Sequence, residues 1–264
     1  MSHLPRLLTI CSAEPVNVQL SQAITGIEAL GVSSIGEMNQ QRITAFGQQE
    51  VGELSSYQSV QSQRAELWSI ATYSAPPLES AEIQPYSRPM RGNVCLFSQQ
   101  GELPEIHDND RFKIGEQWPV SCTDQERAFC LLLERSRKLW EEGRPDHEIR
   151  LALIADYAGR LDRLGAHNFI FWDGEFLFAY SSLDEGLPPL AYQHSKTDKF
   201  CLNSALQLQV KAAEECEIVL VGDQSSLGAD AELITSGSVF CFRAGKLHDR
   251  CDPVNFWSDS DLAQ

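Results

Sequence analysis

Cysteine and histidine are the residue types here most able to act as nucleophiles or metal ligands, and their spacing argues against a metal. The cysteines at 11, 95, 122, 130, 201, 216, 241 and 251 form no Cys-x-x-Cys, and the six histidines form no His-x-His or His-x-x-x-His. Zinc sites draw on such spacing to bring ligands together, so neither a metal nor another cofactor is expected. Most of the cysteines sit in apolar runs such as NVCLF, AFCLLL and SVFCF, where a reduced thiol packs as a small hydrophobe. Two polar groupings are better suited to a ligand. Thr123-Asp124 opens a long amphipathic stretch. Its hydroxyl can accept from the Glu126 amide as a helix cap, with Glu126 completing a capping box, and its carboxylate favours the helix dipole or an amine. Gln99-Gln100-Gly101 reads as a turn in which the Gln100 amide can donate a hydrogen bond and Gly101 supplies the turn geometry.

The elements that would position these groups fall into three stretches. The first offers short strands at 6–11, 42–46 and 67–73 and a loosely patterned helix near 20–30. The second begins with a Pro-rich loop at 74–92, followed by a strand at 93–98. Two helices come next, at 124–142 and 146–164, the latter ending at Gly165. In the third, two aromatic runs flank Asp173-Gly174, a dipeptide suited to a type I′ hairpin turn. The aromatic run Phe169, Phe171, Trp172, Phe176, Phe178 and Tyr180, with alternation at period two, reads as core packing rather than a stacking platform. Further strands are expected at 200–203, 217–221 and 238–243. Strands, a helical pair and more strands imply an α+β fold, an αββα sandwich of two mainly antiparallel sheets flanked by helices. One domain is expected over residues 1–264, with 248–264 a C-terminal extension whose Phe256-Trp257 pair docks on the domain or on a second subunit.

Composition removes several function classes. The formal net charge is −16, with 37 acidic residues against 21 basic ones, the wrong balance for gripping nucleic-acid phosphates. The modest basic run at 134–138 is a solvated helix face. No segment approaches the ~18 apolar residues of a membrane span, and the apolar run at 7–11 is too short for a signal-peptide core. Nucleic acid and membrane are therefore not expected partners, and the default location is the cytoplasm.

The order of these features resembles the stand-alone bacterial class II glutamine amidotransferase-like proteins, which have the N-terminal-nucleophile hydrolase fold. The stretch TDQERAFCLLLERSRKLW is similar to the family's TDSE motif and the helix after it. GAHNFIFWDGEFLFAYSS and GSVFCFRAGKL follow in family order. Upstream, QPYSRPMRGNVCLFSQQGEL has the spacing of the family's HPF loop, strand and HNG turn, and PRLLTICSAEPV looks like its opening. The resemblance implies amide hydrolysis of glutamine by an N-terminal cysteine thiolate. The cysteine's own α-amino group serves as base, an Asn-Gly pair stabilises the oxyanion, and an arginine and the TD aspartate hold the substrate's carboxylate and amine.

Carried over position by position, the resemblance implies that this machinery is largely gone. The nucleophile falls on Pro5, the arginine near Ala71 or Thr72, the HPF histidine on Gln84, and the HNG pair on Gln99 and Gln100. The glycine-rich early motif falls on NQQR at 39–42. Gly101, Thr123 and Asp124 are retained. No catalytic residue is expected, and Gln100, Gly101, Thr123 and Asp124 are the candidate ligand-binding residues. The implied protein is a catalytically inactive one that binds a small amine, an amino acid or a protein partner. The alternative is an active amidohydrolase using Cys11 after removal of the first ten residues.

Overall fold

Strands dominate because most segments bury one face against the partner sheet and the other under helices. The computed structural model describes residues 4–20, 26–36, 40–54, 63–108, 112–184, 186–195, 199–201, 207–213 and 215–252. Strand β1 (Arg6–Leu20) is the spine of a nine-stranded sheet among the described residues. It lies between β4 (Arg64–Tyr73) and β12 (Ile218–Asp223). Outward from β4 lie β2 (Ala29–Ile35) and β3 (Gln40–Phe46), and outward from β12 lie β9 (Leu190–Ser195) and β13 (Glu232–Leu233). Strands β10 (Lys199–Cys201) and β11 (Gln207–Lys211) extend the far half of β1. The six-stranded sheet runs in the order β15 (Lys246–Cys251), β14 (Val239–Arg243), β8 (Leu177–Tyr180), β7 (His167–Trp172), β6 (Asn93–Gly101), β5 (Tyr86–Met90). Every pairing in both sheets is antiparallel.

Three apolar layers hold the stack together. Between the sheets, Leu7, Cys11, Leu67 and Val219 meet Leu96, Ile170, Leu177 and Phe240. On the outer face of the six-stranded sheet, Phe97, Phe169 and Phe171 pack beneath α2 (Asp124–Leu139) and α3 (His147–Leu161) through Phe129, Leu132, Ile154 and Tyr157. The outer face of the nine-stranded sheet carries Leu8, Ile10, Trp68 and Ile70, joined by Val51 of α1 (Gln48–Leu54) and Leu227 of α4 (Gln224–Leu227). The expected αββα sandwich is thus the fold observed, with the helical pair on one outer face. Among the described residues, no helix is long and apolar enough to cross a membrane.

Local expectations fared less evenly. Residues 29–30 belong to β2 rather than a helix, because Leu30 and Val32 face outward while Ala29 and Ser33 face the other sheet; residues 21–25 lie outside the described set. The Pro-rich loop contains β5, an edge strand where Pro89 lacks no ladder partner it needs. Helix α2 stops at Leu139 and continues as a 3-10 turn at Trp140–Glu142, while α3 spans 147–161 rather than 146–164. Asp173-Gly174 are not the two central turn residues: Trp172 pairs with Leu177, and the Asp173 amide donates to the Phe176 carbonyl at 3.2 Å, which leaves Gly174-Glu175 between them. There the Asp173 carboxylate accepts from the Glu175 and Phe176 amides, each at 2.9 Å. Residues 202–203 and Phe256-Trp257 lie outside the described residues, and β15 carries the sheet through residue 251.

Candidate functional site

Pro5 is buried immediately before β1, and the site is built around its carbonyl oxygen. Gln100, at the end of β6, points between the sheets. Its Nε2 donates to the Pro5 oxygen at 2.7 Å and to Asp223 Oδ1 at 2.6 Å. The other oxygen of Asp223 accepts from the Leu7 amide at 2.6 Å. Asn168 of β7 donates to Gln100 Oε1 at 3.3 Å and to the Pro188 carbonyl at 2.8 Å. Gln100, Asp223 and Asn168 are 3%, 3% and 1% exposed, so hydrogen bonds to protein groups replace those with water. Burial pushes the Asp223 carboxyl up to about 6, against the lowering influence of its Gln100 and Leu7 hydrogen bonds.

The expected turn at 99–101 is the last part of β6. Gln99 pairs with Phe169, Gln100 with Asn168 and Gly101 with His167. Gly101 has φ near +93°, and a Cβ there would stand 2.0 Å from the Ala166 carbonyl oxygen, so both conformation and space require glycine. Gln84, where the resemblance implies a histidine, acts as a strand surrogate. Its side chain donates to the Gln99 carbonyl at 3.0 Å and accepts from the Gln99 amide at 2.6 Å. Near the arginine position that the resemblance implies, at Ala71 or Thr72, Ala71 presents only a buried methyl group toward the opposite sheet.

Thr123 and Asp124 do lie beside Gly101. Gln125 Nε2 donates to the Gly101 carbonyl at 2.7 Å. Asp124 Oδ2 accepts from the Leu103 amide at 2.8 Å, and its Oδ1 lies 3.0 Å from His107 Nε2. Thr123 caps α2 by accepting from the Glu126 amide at 3.2 Å and also meets the Tyr86 hydroxyl at 2.9 Å. The reciprocal half of the capping box is missing, because Glu126 turns away. It pairs with Arg88 and accepts from the Val120 and Ser121 amides at 3.0 and 2.6 Å. Arg88 is therefore already committed to a partner. The structure brings Gly101, Thr123 and Asp124 to one place and turns Gln100 inward, to the start of β1.

Cys11 lies on the same strand as the Pro5 end of the site but far along it. Six residues of extended chain separate them, roughly 20 Å at the usual strand rise. Its side chain is 2% exposed between the sheets, and burial pushes the thiol up to about 11. A thiol held so far from ionisation is a poor nucleophile at neutral pH. Asp223 and Asn168 were not among the residues singled out from the sequence. The available signal was an aspartate closing the continuous apolar run IVLVG, a position where a charge meets a buried strand end.

Comparison with known proteins supplies the family. Residues 57–261, well over half of the chain, match the family described as glutamine amidotransferases class-II. The chain belongs to this family. A solved structure described as a predicted glutamine amidotransferase from Pseudomonas aeruginosa superposes with a TM-score of 0.71 at 19% identity, covering 92% of this chain and 98% of that one. The Escherichia coli protein named "Putative glutamine amidotransferase YafJ" is 28% identical over 98 residues, 37% of this chain and 37% of its own length. An uncharacterized protein of Methanocaldococcus jannaschii is 24% identical over 155 residues, 58% of this chain and 39% of its own length. The chain thus spans about two fifths of these two relatives.

Proposed function

We propose that this chain is a catalytically silent class II glutamine amidotransferase-like protein, acting in the cytoplasm by binding a small ligand or a protein partner. The observation that carries the reading is Pro5. Where the resemblance places the attacking cysteine, this chain has a residue without a nucleophilic side chain, and its carbonyl is bonded to Gln100. Loss of the nucleophile alone removes most of the rate enhancement in enzymes whose groups act as a unit, so the accompanying changes at residues 71, 84 and 99 add little further loss.

Gly101, Thr123 and Asp124 are the proposed ligand-facing remnant, while Gln100 turns away from it to Pro5 and Asp223. Asp124 favours an ammonium group, while Ala71 and Thr72 place no guanidinium to meet a carboxylate. A free amino acid would leave its carboxylate unpaired there, which disfavours glutamine relative to a simple amine or a partner's lysine. Calorimetry tests this pocket: methylamine should bind the parent more tightly than glutamine does, and Asp124→Asn should weaken it. Glutamine binding that is tight and indifferent to Asp124→Asn would exclude the remnant as drawn. The active alternative, using Cys11, requires removal of residues 1–10. An intact-mass spectrum of the purified protein separates the two: loss of that segment favours the alternative, and its retention favours the silent reading.

A further inference from the structure

The Gln100 side chain is a primary carboxamide, and it is held as a bound ligand would be. Its two N–H groups go to two acceptors, Asp223 Oδ1 at 2.6 Å and the Pro5 carbonyl at 2.7 Å. Its oxygen accepts from Asn168 Nδ2 at 3.3 Å. The groups that receive it are themselves fixed. Asp223 is anchored by the Leu7 amide at 2.6 Å, and Asn168 by the Pro188 carbonyl at 2.8 Å and the Ser182 amide at 2.9 Å. The contacts come from β12, β7 and the residue preceding β1, so the cradle is assembled by both sheets and does not depend on Gln100's own strand.

The donor and acceptor set is selective. A carboxylate in the same place would set one negative charge against the Asp223 carboxylate and offer no N–H to the Pro5 oxygen. An ammonium group would satisfy the acceptors but leave the Asn168 amide without its oxygen. A neutral primary carboxamide meets all three. We propose that this is a carboxamide-binding cradle filled from within by Gln100, and that it accepts a free primary carboxamide once that side chain is removed. The inference deepens the silent-site reading and rests on it only for the consequence that an external amide is kept out rather than hydrolysed.

The test is chemical rescue. Gln100→Gly removes, from Cβ outward, the atoms of propionamide. The variant should have a lower thermal midpoint than the parent, and propionamide should raise it saturably, because a ligand that binds only the folded state stabilises that state. Propionate and propanol should leave the midpoint unmoved, and propionamide should not shift the parent or Gln100→Met, in which the space stays filled. No shift in a folded Gln100→Gly variant, or equal shifts with propionate, would overturn the cradle. If Gln100→Gly does not fold, Gln100→Ala with acetamide is read in the same way. In the parent, the Gln100 side-chain NH2 protons should exchange slowly with solvent by NMR, and rapid exchange would overturn the proposal even if neither variant folds. Ammonia release from glutamine by the parent would sink the silent-site reading separately, without deciding the rescue result.

Discussion

Asp223 and His167 are buried titratable residues whose protonation acts on stability in opposite directions. His167 is fully buried in β7, stacked on Tyr180 with ring centroids 5.1 Å apart, and burial pushes its imidazole down to about 4 from 6.5. Between those values the unfolded chain takes up a proton that the folded chain refuses, so stability falls as pH drops from 6.5 toward 4. At about 1.4 kcal/mol per pH unit, the loss is of the order of 3 kcal/mol. Asp223 behaves in the reverse sense. Its folded value of about 6 exceeds the ordinary 3.8, so the folded state holds a proton the unfolded state has shed, and stability falls as pH rises from 3.8 to 6. His167→Phe keeps the stacking and removes one of the two contributions. Chemical denaturation at pH 7.5 and pH 5 should show the parent losing more stability on acidification than this variant. Equal pH dependence in the two proteins would show that His167 is not buried neutral.

At the scale of elements, α3 is fastened to the hairpin at 173–176 by Arg150. This guanidinium is 5% exposed and bonds Asp173 at 3.1 Å and Glu175 at 2.9 Å, with the Trp140 and Phe176 rings 4.8 and 5.1 Å away. Removing one partner of a buried pair leaves the other charge uncompensated. Urea denaturation of Arg150→Met should therefore show a loss of about 3–5 kcal/mol, partly recovered when Asp173→Asn is added. A loss below about 1 kcal/mol would mean that the pair is not buried as described. The helices beside this joint were legible in the sequence because one apolar face and the Thr123 cap are local signals. Strand β2 was not, since it is buried on both faces and shows no alternation. Strand β15 was hidden by the charges of KLHDRC, which suit a sheet edge. Pro5, Gln100, Gly101 and Asp124 were named from the sequence, but Asp223, which holds Gln100, was not. Asp223 meets Gln100 from 123 positions away in sequence, and no local pattern carries such a contact.

Over the whole molecule, the sandwich and its helical layers enclose a cluster of buried polar links between the two sheets. The Pro5 carbonyl, just before β1, accepts from Gln100 at the end of β6, and Asn168 of β7 and Asp223 of β12 close around that side chain. These polar links help to tie the two sheets together at the position where the resemblance places catalysis. The central claim is that this site performs no amide hydrolysis. Ammonia release from glutamine by the purified protein tests it most directly. The account predicts a rate indistinguishable from buffer, unchanged in Cys11→Ala. A measurable rate in the parent that Cys11→Ala abolishes would contradict it.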